Sequence, residues 1–346
     1  AGIFPSLLNV CLVPMADERR SLAVKKCISD IEVADFIAVD LEFSGLFLGD
    51  QKRSPLTVED YFSKCIESVP KFLALQLGLC CAQHQNQSKK WELRTHEFDL
   101  WPQDRRLHMV DLQSLQFLRS HGFDFNSFLE RAHPFTRLPP QGTRLAGRAH
   151  VKVTPIVEAL RSAKVPLVFH NGLLDMLHLY DKFLGDLPDD VEAFGKAWMQ
   201  HFPIIFDTRV LAQEGRFNVL RHAGGFNLEC LHKHLQTEGP GMLLDRCTES
   251  EKSAHSAGYD ATMTAEVFLM ELDRWIRFGE ESPVDPNQAE ERPATKNAGK
   301  RKRRAETSNG LTCPSLLESH AVARRFHNRV ALVSTSPGFL DLAEEM

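Results

Sequence analysis

A handful of side chains have the type and spacing to do chemistry together. Asp40 and Glu42 form a D-x-E at the end of the apolar run FIAV, with Gly45 shortly after. In an extended strand the side-chain period of two puts both carboxylates on one face. Two acids so placed repel unless a cation lies between them, and divalent metals take such oxygen ligands. The same spacing recurs at Asp30/Glu32 and Asp190/Glu192, in stretches that read as solvated surface. Spacing alone therefore leaves an ordinary strand-end charge pair open. Asp175, in VFHNGLLDMLHLY, lies one turn into a helix that follows a buried strand. Acids at the ends of neighbouring α/β strands converge on one crevice; an acid placed there for the helix dipole is the competing reading. His255 and Asp260 give H-x4-D in HSAGYDA, and His170/Asp175 repeat that spacing. His170 ends a buried strand and reads as a core histidine. His255 sits in the polar stretch ESEKSAHSAG, where a base that must reach water could stand.

These side chains need strands and helix starts to hold them, and the pattern supplies both. Short apolar runs alternate with helical periodicity, which predicts an α/β fold. Strands are expected at Ala34–Phe43, Phe72–Ala82 and Trp91–Leu100, with Gly78 marking a bulge in the second. Short strands are expected at Pro166–Phe169, at Pro203–Phe206 ending on Asp207, and at Arg329–Ser334. Helices are expected over Leu112–His121, Asn126–Arg131, Pro155–Ala163, Gly172–Phe183, Asp189–His201, Leu228–Leu235 and Tyr259–Phe278. Asn171 and Asn227 are placed to cap the helices that follow them.

The 346 residues are 43% hydrophobic and 25% charged, ordinary for a folded globular chain and unlike a collagen or a wholly disordered one. The net charge of -5, from 41 Lys+Arg against 46 Asp+Glu, offers no global basic field, so a nucleic-acid site must be local. Eight cysteines without a CxxC pair read as reduced thiols of the cytosol or nucleus. No apolar run approaches the roughly 18–20 residues of a membrane span. The expected organisation is residues 1–280 as the main domain, 281–310 as a disordered linker, and 311–346 as a C-terminal segment whose strand returns to the main domain. The linker has no Leu, Ile, Met or aromatic residue and carries the basic run Lys300–Arg304. That run is read as a nuclear-import signal, with a solvated tail and nonspecific RNA contact as alternatives; the expected location is the nucleus, with the cytoplasm open.

The order D-x-E, mid-chain Asp, then H-x4-D resembles the histidine-bearing DEDD 3′→5′ exonucleases. Position 256 is Ser, so the Tyr-x3-Asp form of the sister branch is absent. The blocks ADFIAVDLEFSGL, FLALQLGL, SLQFLRSHGFDFNSFL, PLVFHNGLLDMLHLYDKFLGDLP, FPIIFDTRVLA and HSAGYDATMTAEVF are similar to the poly(A)-specific ribonuclease (PARN) family of deadenylases. That family's inserted Arg/His-motif domain does not fit between Arg131 and Pro155. No aromatic RNP-like string follows, and Cys230, Cys247 and Cys313 cannot supply the zinc finger of the related Cajal-body deadenylase. The sequence reads as a nearly bare nuclease domain.

The resemblance implies an RNase H-like exonuclease fold, a mixed central sheet flanked by helices. It implies that Asp40, Glu42, Asp175 and Asp260 hold two Mg²⁺ ions, with Mn²⁺ as a substitute. One ion would sit among Asp40, Glu42 and Asp260; the other mainly on Asp40 and the scissile phosphate, with Asp175 helping through water. His255 would take the proton from the attacking water, releasing a nucleoside 5′-monophosphate. Leu41, Phe43 and Ser44 interleave with the acids and are candidates to line the terminal nucleotide, with Leu173 as a wedge against a base. If the strand stays regular, Leu41 and Phe43 face away from the acids, and core packing competes for Phe43 and Leu173. Asp207 reads as structural, and His232 and His234 lie on opposite sides of a helix. Arg137, Arg144, Arg148 and Lys152 belong to a loop that could touch RNA. The implied partner is a single-stranded RNA 3′ end, poly(A) or oligo(A), with a homodimer left open and no membrane. The leading reading is a 3′→5′ exoribonuclease removing adenosine-rich tails. The alternatives are a small-RNA 3′ trimmer without adenine preference and a non-catalytic RNA-binding subunit; four acids and a histidine, all present, speak for an enzyme.

Overall fold

The computed structural model describes residues 8–49, 56–104, 106–138, 153–213, 226–237, 243–247, 256–278, 326–333, 335 and 338–343. The expected linker at 281–310, with Lys300–Arg304, lies outside them, as do His255, Arg144, Arg148 and Lys152.

Phe36, Ile37, Ala38 and Val39 of β1 (Phe36–Phe43) are all buried, so this strand is covered on both faces, as a central strand between helical layers must be. It pairs antiparallel with β2 (Ala74–Gln85) and parallel with β5 (Leu167–Phe169). Beyond β2 lies β3 (Lys90–Pro102), whose outer edge takes β4 (His133–Phe135) at one end and β7 (Leu243–Arg246) at the other. Beyond β5 lies β6 (Ile205–Asp207). The result is a mixed sheet of order β4-β3-β2-β1-β5-β6, with β7 beside β3.

Strand alternation separates two cores. Ile37, Val39 and Leu41 of β1, with Leu77 and Leu79 of β2, face one helical layer. That layer is α1 (Leu8–Val33), α2 (Val58–Ser68), α5 (Thr154–Ala163), α6 (Leu173–Leu179) and α7 (Val191–His201). Phe36 and Ala38 face the other way, onto Ala261, Ala265, Phe268 and Leu269 of α10 (Ala257–Phe278). The adjacent Cys80 and Cys81 accordingly fall into different cores, both as free thiols. α8 (Thr208–Gln213) and α9 (Leu228–Thr237) flank α10, while α3 (Leu112–Ser120) and α4 (Phe125–Arg131) close a small cluster over Leu75. Among the described residues no helix is long and apolar enough to cross a membrane.

Three expectations change. Gly78 marks no bulge: Asp40 pairs with Gly78 in regular register, and the shift falls between Glu42 and Phe43. The helix expected over Gly172–Phe183 ends its α-helical part at Leu179 and finishes in a π turn, Tyr180–Leu184. Asn171 does not cap it, because Asn171 adopts φ +58° and the cap position falls to Gly172. Asn227 does cap α9, accepting from the Cys230 N–H at 2.8 Å. The C-terminal β8 (Arg329–Ala331) pairs with β9 (Phe339–Asp341) as a separate hairpin. Asn328 clamps that hairpin to β6, its N–H donating to Ile205 O at 2.8 Å and its side chain accepting from Ile205 N at 3.0 Å.

Candidate metal centre

Because β1 alternates, Asp40 and Glu42 share the α10 face with Phe36 and Ala38. Opposite Asp40 stands Gly78, and its missing side chain decides what reaches the acids. A Cβ at Gly78 would lie 1.9 Å from Ala257 O and 2.5 Å from Gly258 N. The first turn of α10 therefore rests directly on the sheet, and its Asp260 meets the strand acids. One carboxylate oxygen from each of Asp40, Glu42 and Asp260 lies within 4.8 Å of the others.

Asp175 arrives from the opposite side. β1 and β5 pair at Ile37–Leu167 and Ala38–Val168; past the end of β5 the neighbour of β1 is α6, and Asp175 Oδ1 accepts the Leu41 N–H at 2.9 Å. A side chain thus completes the ladder where the strand stops. Asp175 is itself buried.

Two polar side chains fasten the α10 turn, and neither was anticipated. Glu97 of β3 accepts from Gly258 N at 3.0 Å and from the Ser256 hydroxyl. Gln76, opposite Glu42 on β2, accepts from Ala257 N at 3.4 Å and donates to Asp99 at 2.8 Å. The acids at 97 and 99, one strand period apart, were the signal in the sequence.

Asp40 and Glu42, half-buried and crowded by other acids, and the buried Asp175 resist ionisation. Burial pushes Asp40 well up, and the charges of Asp175, Asp260 and Glu42 push it further. Glu42 is raised by burial and then by Asp260, Asp175 and Glu97. Burial lifts Asp175 to about 8 despite the opposing Leu41 hydrogen bond. Hard oxygen donors of this kind fit Mg²⁺ or Mn²⁺, and such an ion would replace the retained protons. The sign of the pH effect follows. Unfolded carboxyls titrate near ~4, so between about 4 and about 8 Asp175 holds a proton in the metal-free folded state that it would release on unfolding. The contribution of this acid to stability therefore falls as pH rises, and a cation competes with that proton less as pH rises. We expect Mg²⁺ to raise the melting temperature of the chelator-treated protein more at pH 8 than at pH 5. A Mg²⁺ effect equal at both pH values would contradict the cluster's role.

The residues expected around the nucleotide are placed differently. Leu41, Ser44 and Leu173 are buried, Leu41 and Leu173 in the core on the α6 side. Ser44 donates to Met109 O at 2.9 Å and accepts from Leu73 N at 2.8 Å. They neighbour the acids in sequence, but strand alternation and core packing turn them inward. Phe43, after the register shift, is half-buried and stacks on His178 with ring centroids 4.1 Å apart. His170 lies in the β5–α6 turn, its ring nitrogens bonded to Thr208 Oγ1 (2.7 Å) and Phe226 O (3.0 Å). Buried His232 bonds Glu266 at 2.6 Å, while His234 is half-buried.

The CAF1 family ribonuclease pattern matches residues 21–144 and 143–268. A poly(A)-specific ribonuclease PARN of Danio rerio is 33% identical over 122 residues, 33% of this chain and 18% of that protein. The pre-piRNA 3′-exonuclease trimmer of Bombyx mori is 32% identical over 133 residues, 35% of this chain and 24% of that protein. The chain thus spans about a fifth to a quarter of the length of these curated relatives. The mouse poly(A)-specific ribonuclease PNLDC1 is 22% identical over 354 aligned residues, 68% of this chain and 66% of that protein. Among solved structures, Schizosaccharomyces pombe Pop2p in its Mg²⁺- and Mn²⁺-bound form superimposes with TM-score 0.53 at 17% identity, covering 78% of this chain and 94% of that one. That likeness concerns the fold.

Proposed function

Since the chain belongs to the CAF1 family of ribonucleases, we propose that it is a metal-dependent 3′→5′ exoribonuclease trimming adenosine-rich tails of single-stranded RNA. The observation that carries this reading is the meeting of Asp40, Glu42 and Asp260 within 4.8 Å on a fold of that family. In support stand relatives named for poly(A)-specific ribonuclease activity and a fold neighbour whose own structure holds Mg²⁺ and Mn²⁺.

In this reading Asp40, Glu42 and Asp260 hold one divalent ion, and Asp40 with Asp175 serves a second. Bound there, divalent ions supply Lewis-acid stabilisation of charge on the attacking and leaving oxygens. His255, five residues before Asp260 in sequence, takes the water proton. Imidazole is the side chain whose ordinary titration lies nearest neutral pH, which suits a histidine to that role. The product is a nucleoside 5′-monophosphate. Metal sites grip phosphates and carry no base information, so preference must come from stacking and a few polar contacts. Of the four side chains first considered for this, Phe43 is the one left partly exposed. Adenine stacks well, and a free single strand can enter where a duplex cannot.

The test compares one RNA body bearing 3′-oligo(A), oligo(U) or oligo(C), with Mg²⁺ and with chelator. We expect Mg²⁺-dependent release of 5′-AMP from the oligo(A) tail, faster than release from the others, stopping where pairing begins. No mononucleotide from any tail would refute the nuclease. Equal rates on all three would refute adenine preference and favour a small-RNA 3′ trimmer, the second reading, which the similarity to the silkworm trimmer supports.

A further inference from the structure

Asp207 is 1% exposed, and its carboxylate accepts four backbone N–H groups from three separate parts of the chain. Oδ1 accepts from Asn171 N at 2.9 Å and from Arg209 N at 2.9 Å. Oδ2 accepts from Gly172 N at 3.1 Å and from Ala331 N at 3.0 Å. Asn171 and Gly172 form the turn between β5 and α6, three residues before Asp175. That turn is strained: Asn171 has φ +58°, and a Cβ on Gly172 would stand 2.2 Å from the Phe169 Cβ. A left-handed residue at such a place persists only when its surroundings hold it. Gly172 at the N-cap has no side chain to offer, and the acid at the end of β6 instead holds the N–H groups of the two residues that lead into α6.

Thr208 adds a second clasp: its hydroxyl donates to His170 Nδ1 at 2.7 Å, while the ring's Nε2–H goes to Phe226 O at 3.0 Å. The remaining donor, Ala331, belongs to the C-terminal hairpin. Its N–H points away from β9, because the next ladder bond runs from Leu332 N to Gly338 O. The hairpin therefore reaches Asp207 with a backbone group it has no other use for.

We propose that Asp207 is a positioning residue for Asp175, and that the C-terminal hairpin β8–β9 belongs to the scaffold that aims it. This rests on the reading of Asp175 as a metal-centre acid. Asp207 sets the β5–α6 turn, the turn fixes the start of α6, and α6 carries Asp175 to the Leu41 N–H. The hairpin keeps the Asp207 carboxylate in place through Ala331. A residue 122 positions before the hairpin's Arg329 thus depends on it for its geometry.

Asp207→Asn tests the first link. The amide keeps the shape but turns an NH₂ toward two backbone donors, breaking two of the four bonds. Ala331→Pro tests the second: it deletes the one N–H given to Asp207 and sets a ring carbon against that carboxylate, at a position whose N–H takes no part in the β8–β9 ladder. Each variant is assayed for kcat, KM and Mn²⁺ binding by electron paramagnetic resonance, at a temperature where circular dichroism shows it folded. For Asp207→Asn we expect a roughly 10–100-fold fall in kcat or Mn²⁺ affinity, the scale for partners that orient a metal ligand. KM should change little, and Ala331→Pro should show a smaller loss of the same kind. A lowered melting temperature with wild-type kcat and Mn²⁺ affinity would mean that Asp207 only stabilises the fold, and would overturn the proposal. If Asp207→Asn does not fold, Ala331→Pro with unchanged kcat and Mn²⁺ affinity overturns it equally. Asp175→Asn separates the two ideas. Full activity in that variant would sink the reading of Asp175, whereas an inactive Asp175→Asn beside an intact Asp207→Asn would sink only the present proposal.

Discussion

Asp40→Asn is expected to remove turnover while leaving the protein folded. The change keeps the shape of the side chain and deletes a carboxylate that the proposed centre shares between two ions. Charge stabilisation by such ions is worth several kcal/mol of barrier, hence a loss of about 10³-fold or more. The metal-free protein should not suffer. Asp40 is a half-buried acid pressed by Asp175, Asp260 and Glu42, and a neutral amide relieves that repulsion, so its melting temperature should match or exceed that of the wild type. Turnover at saturating Mg²⁺, with a melting curve in chelator, checks both halves. Wild-type turnover would end the metal assignment. The same assay sorts the two H-x4-D histidines. His255→Ala should lose roughly 10²–10⁴-fold, the scale for a positioned general base. His170, whose pKa burial lowers to about 4 and whose ring bonds Thr208 and Phe226, is neutral at working pH and spent in the fold. His170→Ala should act through stability instead.

Among the described glycines, Gly78→Ala should be the most damaging single-methyl change. The added carbon meets backbone at 1.9 and 2.5 Å, so no side-chain rotamer can relieve it. Either β2 or the first turn of α10 must move. Overpacking of this kind costs about 1–3 kcal/mol and sometimes more. The activity cost is expected to be larger, because the moving turn carries Asp260 and a displacement of about 1 Å can cost ~10²-fold. Gly195 gives the contrast. It lies within α7, where the nearest atom to a new Cβ is at 3.6 Å, and Gly195→Ala should raise stability by up to ~1 kcal/mol through helix propensity. Melting curves and kcat for the two variants settle the matter. An unperturbed Gly78→Ala would show that α10 does not need to lie so close.

The central strand was readable because its message is local. FIAV is apolar at every position, which only a doubly covered strand needs, and the alternation of Asp40 and Glu42 follows from pleat geometry. The long final helix, the short strands at 167 and 205 and the Asn227 cap were local in the same sense. α2 was also written locally, in the Thr57 cap with Glu59 and Asp60 behind it and in the buried Val58, Phe62 and Cys65.

What the sequence by itself determined was the order of acids and their delivery on a strand end and two helix starts, since strand period and helix spacing are properties of neighbours along the chain. Which acids meet was decided by the tertiary structure. Asp260 reaches Asp40 and Glu42 because Gly78, on another strand, leaves room for α10. Asp175 reaches Leu41 because β5 is too short to fill that ladder position. Leu41, Ser44 and Leu173 sit beside the acids in sequence and turn inward in space. Asn171, turned to a positive φ, is held instead by Asp207, 36 residues away. In each case the deciding contact joins residues far apart in the chain, and a local pattern carries no term for it.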